Sequence, residues 1–440
     1  MSQDKNTEFI KIYENKSELV HPDGRSEVFE EGNSDSEAST RYTNISTELR
    51  NGFLDNLIKE CKKNPDIKLT LNIQDEHKNL LDVLVLSITS EVGRALVGLS
   101  VLQLVVKTME PAQSIRLHKG GKTAYNFSWK GGISMRSLDK KYITPTLRKH
   151  NLLRLNADGF MMTRSLAENY PYSSFYKANL RGARAEWLSL VEKVETQELD
   201  AEAGLKYLIY RLFDISNEFD VITANTMSEL AKVLKLKEMS NASFVSSLLE
   251  RHIEESSYAA RLMEIAMHSL CQALIELEVY PDLELKPLSQ MRSANKKHGN
   301  IADIELMQDG QIIMAWDAKY GKTYLRDELE EIADKLTTHL EAKKVGFVTS
   351  GNPERLTELN SRILELEQLY GLELSISSFS DWVTAQYKEA ESLGIKSSDI
   401  ASAWLTAYTE SLAQKRREVA PIDEPCQLWI SDLLALYKSL

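Results

Sequence analysis

Asp303, Asp317 and Lys319 flank a short apolar hairpin in a chain of 440 residues. Asp317 and Lys319 are two positions apart, so on a strand their side chains leave the same face. Asp303 lies across the tight Gln308-Asp309-Gly310 turn and can approach both. Two carboxylates at a sheet edge hold a hard divalent cation such as Mg²⁺ without stripping all its waters. A lysine beside them would orient, or help to deprotonate, an attacking water, and the cation would stabilise charge on a phosphate. The chemistry expected is metal-assisted hydrolysis of a phosphate ester.

Periodicity supplies the elements that must position these groups. A helix is expected over about 256–278, where Met263, Met267, Leu270, Leu274 and Leu277 form one stripe. A basic linker follows at 286–298, then strands at 301–306 and 312–319 around the Asp-Gly turn. A helix at 326–342, a strand at 345–349, a helix at 354–370 and a strand at 373–377 complete the order α–β–β–α–β–α–β, an α/β domain. The apolar run from Ile312 to Trp316 marks a buried central strand, and charges at its end cost desolvation unless they have a task. On the preceding helix, Glu264 and Glu276 are the acids in position to join them, while a lone helical His268 reads as structural. Tyr320 alternates to the opposite face from Lys319 and reads as core, and Lys322 is a candidate phosphate contact.

This pattern resembles the PD-(D/E)xK nuclease superfamily. The likeness rests on Ala302-Asp303 and Asp317-Ala318-Lys319, with thirteen residues between the two acids, a helix before the hairpin and an α–β unit after it. It covers roughly residues 260–350, and Ala302 stands where the family often has proline. The resemblance implies an α/β (α+β) restriction-endonuclease-like core and Mg²⁺ bound by Asp303 and Asp317. It also implies catalysis by Asp303, Asp317, Lys319 and the helix acid Glu264, with Glu276 as the alternative.

Residues 116–184 invert the charge of the chain. They hold fourteen basic and three acidic residues in a protein of formal net charge −12. Aromatic residues, among them Tyr125, Trp129, Tyr142 and Tyr172, are interleaved. Lysine and arginine supply most DNA affinity through phosphates, and arginine reads base edges. The candidate DNA contacts are Lys130, Arg136, Lys140, Lys141, Arg148, Lys149, Arg164 and Arg181. Arg136-Ser137-Leu138-Asp139, Ile143-Thr144-Pro145, Thr163-Arg164-Ser165-Leu166 and Tyr170-Pro171-Tyr172 resemble segments upstream of the core in type II restriction endonucleases, which implies a DNA-contacting role. Gly120-Gly121-Lys122-Thr123 is not a nucleotide-binding P-loop, because Arg116 stands where the first glycine must be.

The rest of the chain sets bounds. Composition is that of a soluble globular protein, and the net charge excludes a coat bound to nucleic acid by bulk charge. Residues 1–40 carry ten acidic against four basic residues, so 1–45 is expected to be an acidic mobile tail. A mainly helical, mixed DNA-recognition region is expected over 46–250, with a short strand at 68–73. The nuclease domain takes 251–385 and a helical segment 386–440. The apolar run 95–106 is too short for a bilayer and reads as a buried helix. Three distant cysteines and no signal core fit the cytoplasm. The function expected is a Mg²⁺-dependent type II restriction endonuclease acting on double-stranded DNA. A homodimer is expected, because two strands need two cuts, and no membrane or nucleotide cofactor is expected. The alternatives are a repair, methylation-dependent or anti-phage effector nuclease with the same core, or a non-catalytic DNA-binding protein on a relic of it.

Overall fold

A computed structural model describes residues 8–89, 91–117, 128–153, 171–176, 182–288, 299–415 and 424–440. Arg164 and Arg181 lie outside them. The chain forms two compact units, 1–218 and 219–440. That boundary falls inside a helix, 32 residues before the sequence-based one at 250/251.

The first unit begins with an antiparallel meander, β1 (Phe9–Ile12), β2 (Lys16–Val20) and β3 (Ser26–Glu30). This corrects the expectation of a mobile tail. A half-buried strand needs only alternate apolar residues. Leu19 and Phe29 pack with Leu117 and Trp129, while Asp23 and Glu30 are exposed. The polar stretch after β3 is in part a helix start: the Asp35 side chain accepts from Ala38 N at 2.6 Å and caps α1 (Ser36–Arg50). Helices α2 (Phe53–Lys63), α3 (Ile67–Thr70), α4 (Asp75–Leu86) and α5 (Glu91–Met109) follow. The single turn α3 replaces the strand expected at 68–73. Leu69 there is exposed to solvent, and Lys68 is tied to Asp214 instead of to a neighbouring strand. Helix α5 is long and apolar enough by composition to cross a bilayer, yet it is mostly buried, packed against α4 and the later α8. Next come α6 (Met135–Leu138), a π-helical turn Asp139–Ile143, α7 (Thr144–Lys149) and α8 (Arg184–Glu195). Then comes the long α9 (Ala201–Val233), whose residues from 219 belong to the second unit.

The second unit is mixed α+β. Helices α10 (Ala242–Glu255) and α11 (Ala259–Glu276) lead into β4 (Glu284–Leu285), β5 (Ile304–Gln308) and β6 (Gln311–Lys319). The chain continues through α12 (Arg326–Leu336), β7 (Lys344–Thr349), α13 (Leu356–Tyr370) and β8 (Glu373–Ser378). It ends with α14 (Phe379–Ser392), α15 (Ser397–Glu410) and α16 (Cys426–Ser439). The α–β–β–α–β–α–β order expected from periodicity is present, with β4 added at the edge. The sheet runs β4-β5-β6-β7-β8, antiparallel through β6 and parallel from β6 to β8.

Side chains on the two faces of the sheet feed two cores. Ile304, Leu306, Met314 and Trp316 pack with α11, α14, α15 and α16. Ile312, Ala315, Val345 and Phe347 pack with α12 and α13. Trp316 lies so close to β7 that a Cβ on Gly346 would stand 2.9 Å from its ring, so glycine is required there. The residues after 385, expected as a separate segment, are part of this unit. Trp404 Nε1 donates to Ala266 O at 2.9 Å and Trp429 Nε1 to Ser257 O at 2.7 Å. His252, fully buried and held neutral with a pKa lowered to about 4, bonds Tyr408 and the Trp429 carbonyl.

Candidate active site

The hairpin register brings the two aspartates together. The Asp309-Gly310 turn, with φ of 51° and 81°, makes the tight connection expected of that pair. A regular ladder from this turn would set Asp303 opposite Trp316. The register instead shifts at Leu306/Met307, where Met307 pairs with Ile312 and Leu306 with Met314. This bulge adds one residue, Ile313, to β6. The last pair is then Ile304 with Trp316, and one step further Asp303 faces Asp317 across the ends of the strands. Asp303 itself stands just before β5, not in it as the expected strand 301–306 had it.

A second acid fixes that approach. Glu305, 1% exposed, accepts at Oε1 from the backbone N–H of Ile301 (2.6 Å) and Ala302 (3.2 Å). Its Oε2 receives Lys286 Nζ at 2.7 Å. The segment entering β5 is thus pinned on both sides of Asp303. Asp303 Oδ2 in turn accepts from Ala318 N at 3.1 Å.

Asp317 is buried and Lys319 is partly exposed, with Nζ 2.8 Å from Asp317 Oδ2. Burial, then the hydrogen bond and charge of the facing Asp303, raise the Asp317 carboxyl to about 7; Lys319 opposes this. Burial alone would lower Lys319. The charges of Asp317, Asp303 and Glu328 outweigh it and hold the ammonium above its ordinary value.

Of the two helix acids, Glu264 is the one brought to the site. Its carboxyl is raised by burial; Arg261 opposes the shift, and the charges of Asp317 and Glu424 add to it. Arg261, itself buried, bonds Glu264 one turn on and Glu424 Oε1 at 2.7 Å. Glu424 is buried just before α16, so the C-terminal helices brace the helix acid. Glu276 sits at the far end of α11, exposed and bonded by Gln272. His268 is structural, its Nε2 3.1 Å from Lys286 O. Tyr320 packs against the core as expected. Lys322 is ion-paired to Glu328 on α12, whose other carboxylate oxygen is buried without a hydrogen bond. Glu305, Arg261, Glu328 and Glu424 escaped the sequence reading. Only Glu305 had a signal there, two residues from Asp303 on a strand and hence on its face.

In the first unit, five of the candidate DNA contacts stand on one fifteen-residue helical stretch. Arg136 on α6, Lys140 and Lys141 on the π-turn, and Arg148 and Lys149 on α7 are all exposed. Among the described residues no ion pair engages Lys140, Lys141 or Arg148. Lys149 is paired at 2.8 Å with Asp55, which His150 and Lys59 also bond, and Lys130 is paired at 2.7 Å with exposed Glu30. Asp139 is buried at the base of the turn, where it accepts from Thr144 Oγ1 at 2.9 Å; burial raises its carboxyl to about 6. Leu138 and Ile143 are core. Four of the seven Arg-Ser-Leu-Asp and Ile-Thr-Pro residues, Leu138, Asp139, Ile143 and Thr144, therefore build the turn that displays the lysines. Arg116, counted in the basic island, is fully buried and paired with Glu192, so its charge serves the fold.

No protein-family model matches the chain, and no curated protein matches it in sequence.

Proposed function

We propose that the 219–440 unit is a Mg²⁺-dependent endodeoxyribonuclease of the PD-(D/E)xK kind. It would cut double-stranded DNA at a specific sequence, as type II restriction enzymes do, working as a homodimer in the cytoplasm. The observation that carries this reading is the meeting of Asp303, Asp317 and Lys319 at one end of the β5–β6 hairpin, with Glu264 in electrostatic reach. Asp303 and Asp317 would hold the ion, an all-oxygen donor set of the kind Mg²⁺ takes. The Asp317 carboxyl is raised to about 7 by burial first and by the facing Asp303 second, so its ionised form is one that a divalent cation would stabilise. Bound there, Mg²⁺ would supply Lewis-acid charge at a scissile phosphate.

Lys319 supplies the complementary charge. It is anchored at Asp317 and kept protonated by the surrounding carboxylates, so it acts as a donor that orients the attacking water and stabilises the phosphate, not as the first base. The exposed basic stretch 136–149 would bind the duplex, its phosphate contacts giving affinity and its arginines base readout. Incubation of the protein with unmodified plasmid in Mg²⁺ tests the reading. Discrete fragments with uniform ends are expected. Smeared or methylation-dependent products would point to a repair or modification-dependent nuclease, and salt-sensitive binding without cutting to a relic.

A further inference from the structure

We propose that His21, Glu8 and Glu192 form a second metal site, in the 1–218 unit, for a divalent transition ion of the zinc type. Glu8 precedes β1, His21 follows β2 and Glu192 lies on α8, so residues up to 184 positions apart converge. The His21 side chain is 4% exposed. Its Nδ1 is 3.4 Å from Glu8 Oε1 and 3.5 Å from Glu192 Oε1. Two ligands of a tetrahedral ion, each ~2.0–2.1 Å from the metal, stand about 3.3 Å apart. The distances match that spacing and exceed a normal N–H···O hydrogen bond.

The remaining polar atoms of the cluster sort into a supporting shell. His21 Nε2 is 2.7 Å from Glu27 Oε1, the carboxylate–histidine contact that fixes the tautomer of a metal-binding imidazole. Ser174 Oγ donates to Glu8 Oε2 at 2.5 Å, and Arg116 donates to Glu192 Oε2. Each carboxylate is thus held by one oxygen while its other faces Nδ1. Among the groups bonded within the cluster, the three carboxylates of Glu8, Glu27 and Glu192 outnumber the one guanidinium of Arg116, an excess of negative charge that suits a cation. The imidazole donor favours zinc over Mg²⁺. Glu8 and Glu192 also line a cleft of about 540 Å³ with Ser174, Arg184, Ser189 and Lys193, from which a water or small anion would complete the shell. The ion would staple the N-terminal sheet to α8.

The site is independent of the nuclease reading and is tested with the oxygen site disabled, in the full chain carrying Asp303→Asn and Asp317→Asn. Metal-free protein is titrated with Zn²⁺ by calorimetry and with Co²⁺ by visible absorption. One equivalent bound at sub-micromolar Kd, a tetrahedral Co²⁺ spectrum and a raised Tm are expected. His21→Gln should weaken Zn²⁺ at least a hundredfold. Glu27→Gln, which leaves every ligand in place, should weaken it ten- to a hundredfold. An octahedral or absent Co²⁺ spectrum, or zinc held equally by the His21→Gln protein, would overturn the proposal and leave His21 as the hub of an ion-pair cluster. The Co²⁺ spectrum needs no variant at this site, so it decides even if His21→Gln fails to fold.

Discussion

Asp317 is the residue on which stability and the proposed activity pull in opposite directions. Its carboxyl sits at about 7 in the folded protein against an ordinary 3.8, so the folded state holds the proton more tightly than the unfolded chain. The stabilising contribution is complete below pH 3.8 and is lost as pH rises through 7. A cation bound between Asp303 and Asp317 competes with that proton. Mg²⁺ should therefore raise Tm more at pH 8 than at pH 5, by several degrees against almost none. Equal shifts at the two pH values in thermal melts would contradict the assignment. Asp317→Asn removes the buried carboxylate and its repulsion with Asp303. The metal-free variant should melt above wild type at pH 8, gain nothing from Mg²⁺ and not cut DNA. A variant melting below wild type at pH 8 would show that the carboxylate is held by partners, not crowded by them.

At the scale of elements, the hairpin and the segment entering it decide where Asp303 stands. Glu305 takes no part in the chemistry proposed, but its carboxylate satisfies two backbone N–H groups and Lys286. Glu305→Ala would leave these groups unpaired in a buried setting, at a cost of about 2–4 kcal/mol. Urea denaturation should show that loss, with cleavage falling as Asp303 loses its support. Full stability in the alanine variant would mean that the segment is held otherwise. These elements also show what the chain discloses before its structure is known. The hairpin, its tight turn and the alternating helices and strands were legible because apolar period and turn chemistry are local. The bulge at Leu306/Met307 was not, because either register keeps apolar side chains inside until both faces of the sheet are covered. The Glu264–Arg261–Glu424 chain was hidden for a related reason: it joins residues more than 150 apart. The sheet at 9–30 was hidden by composition, since its acids and its buried Leu19 and Phe29 alternate in one short stretch.

For the whole molecule, binding and cutting are proposed for different units and should separate by mutation. Lys140 and Lys141 are exposed and unengaged by ion pairs among the described residues, on a turn fixed by Asp139 and Thr144. Lys140→Ala with Lys141→Ala should weaken duplex binding and lower the slope of log K against log salt by about 1 for each phosphate no longer neutralised. An unchanged slope in fluorescence anisotropy titrations would make this a merely solvated surface. The converse variant tests the central claim most directly. Lys319→Ala leaves both aspartates and the basic stretch intact. In single-turnover cleavage of unmodified duplex with Mg²⁺, alongside binding measured in Ca²⁺, it should bind DNA as wild type does. Its Tm should stay within a few degrees, and it should cut on the order of 10²–10⁴ times more slowly. Cleavage at the wild-type rate by a folded, DNA-bound Lys319→Ala protein would contradict the account.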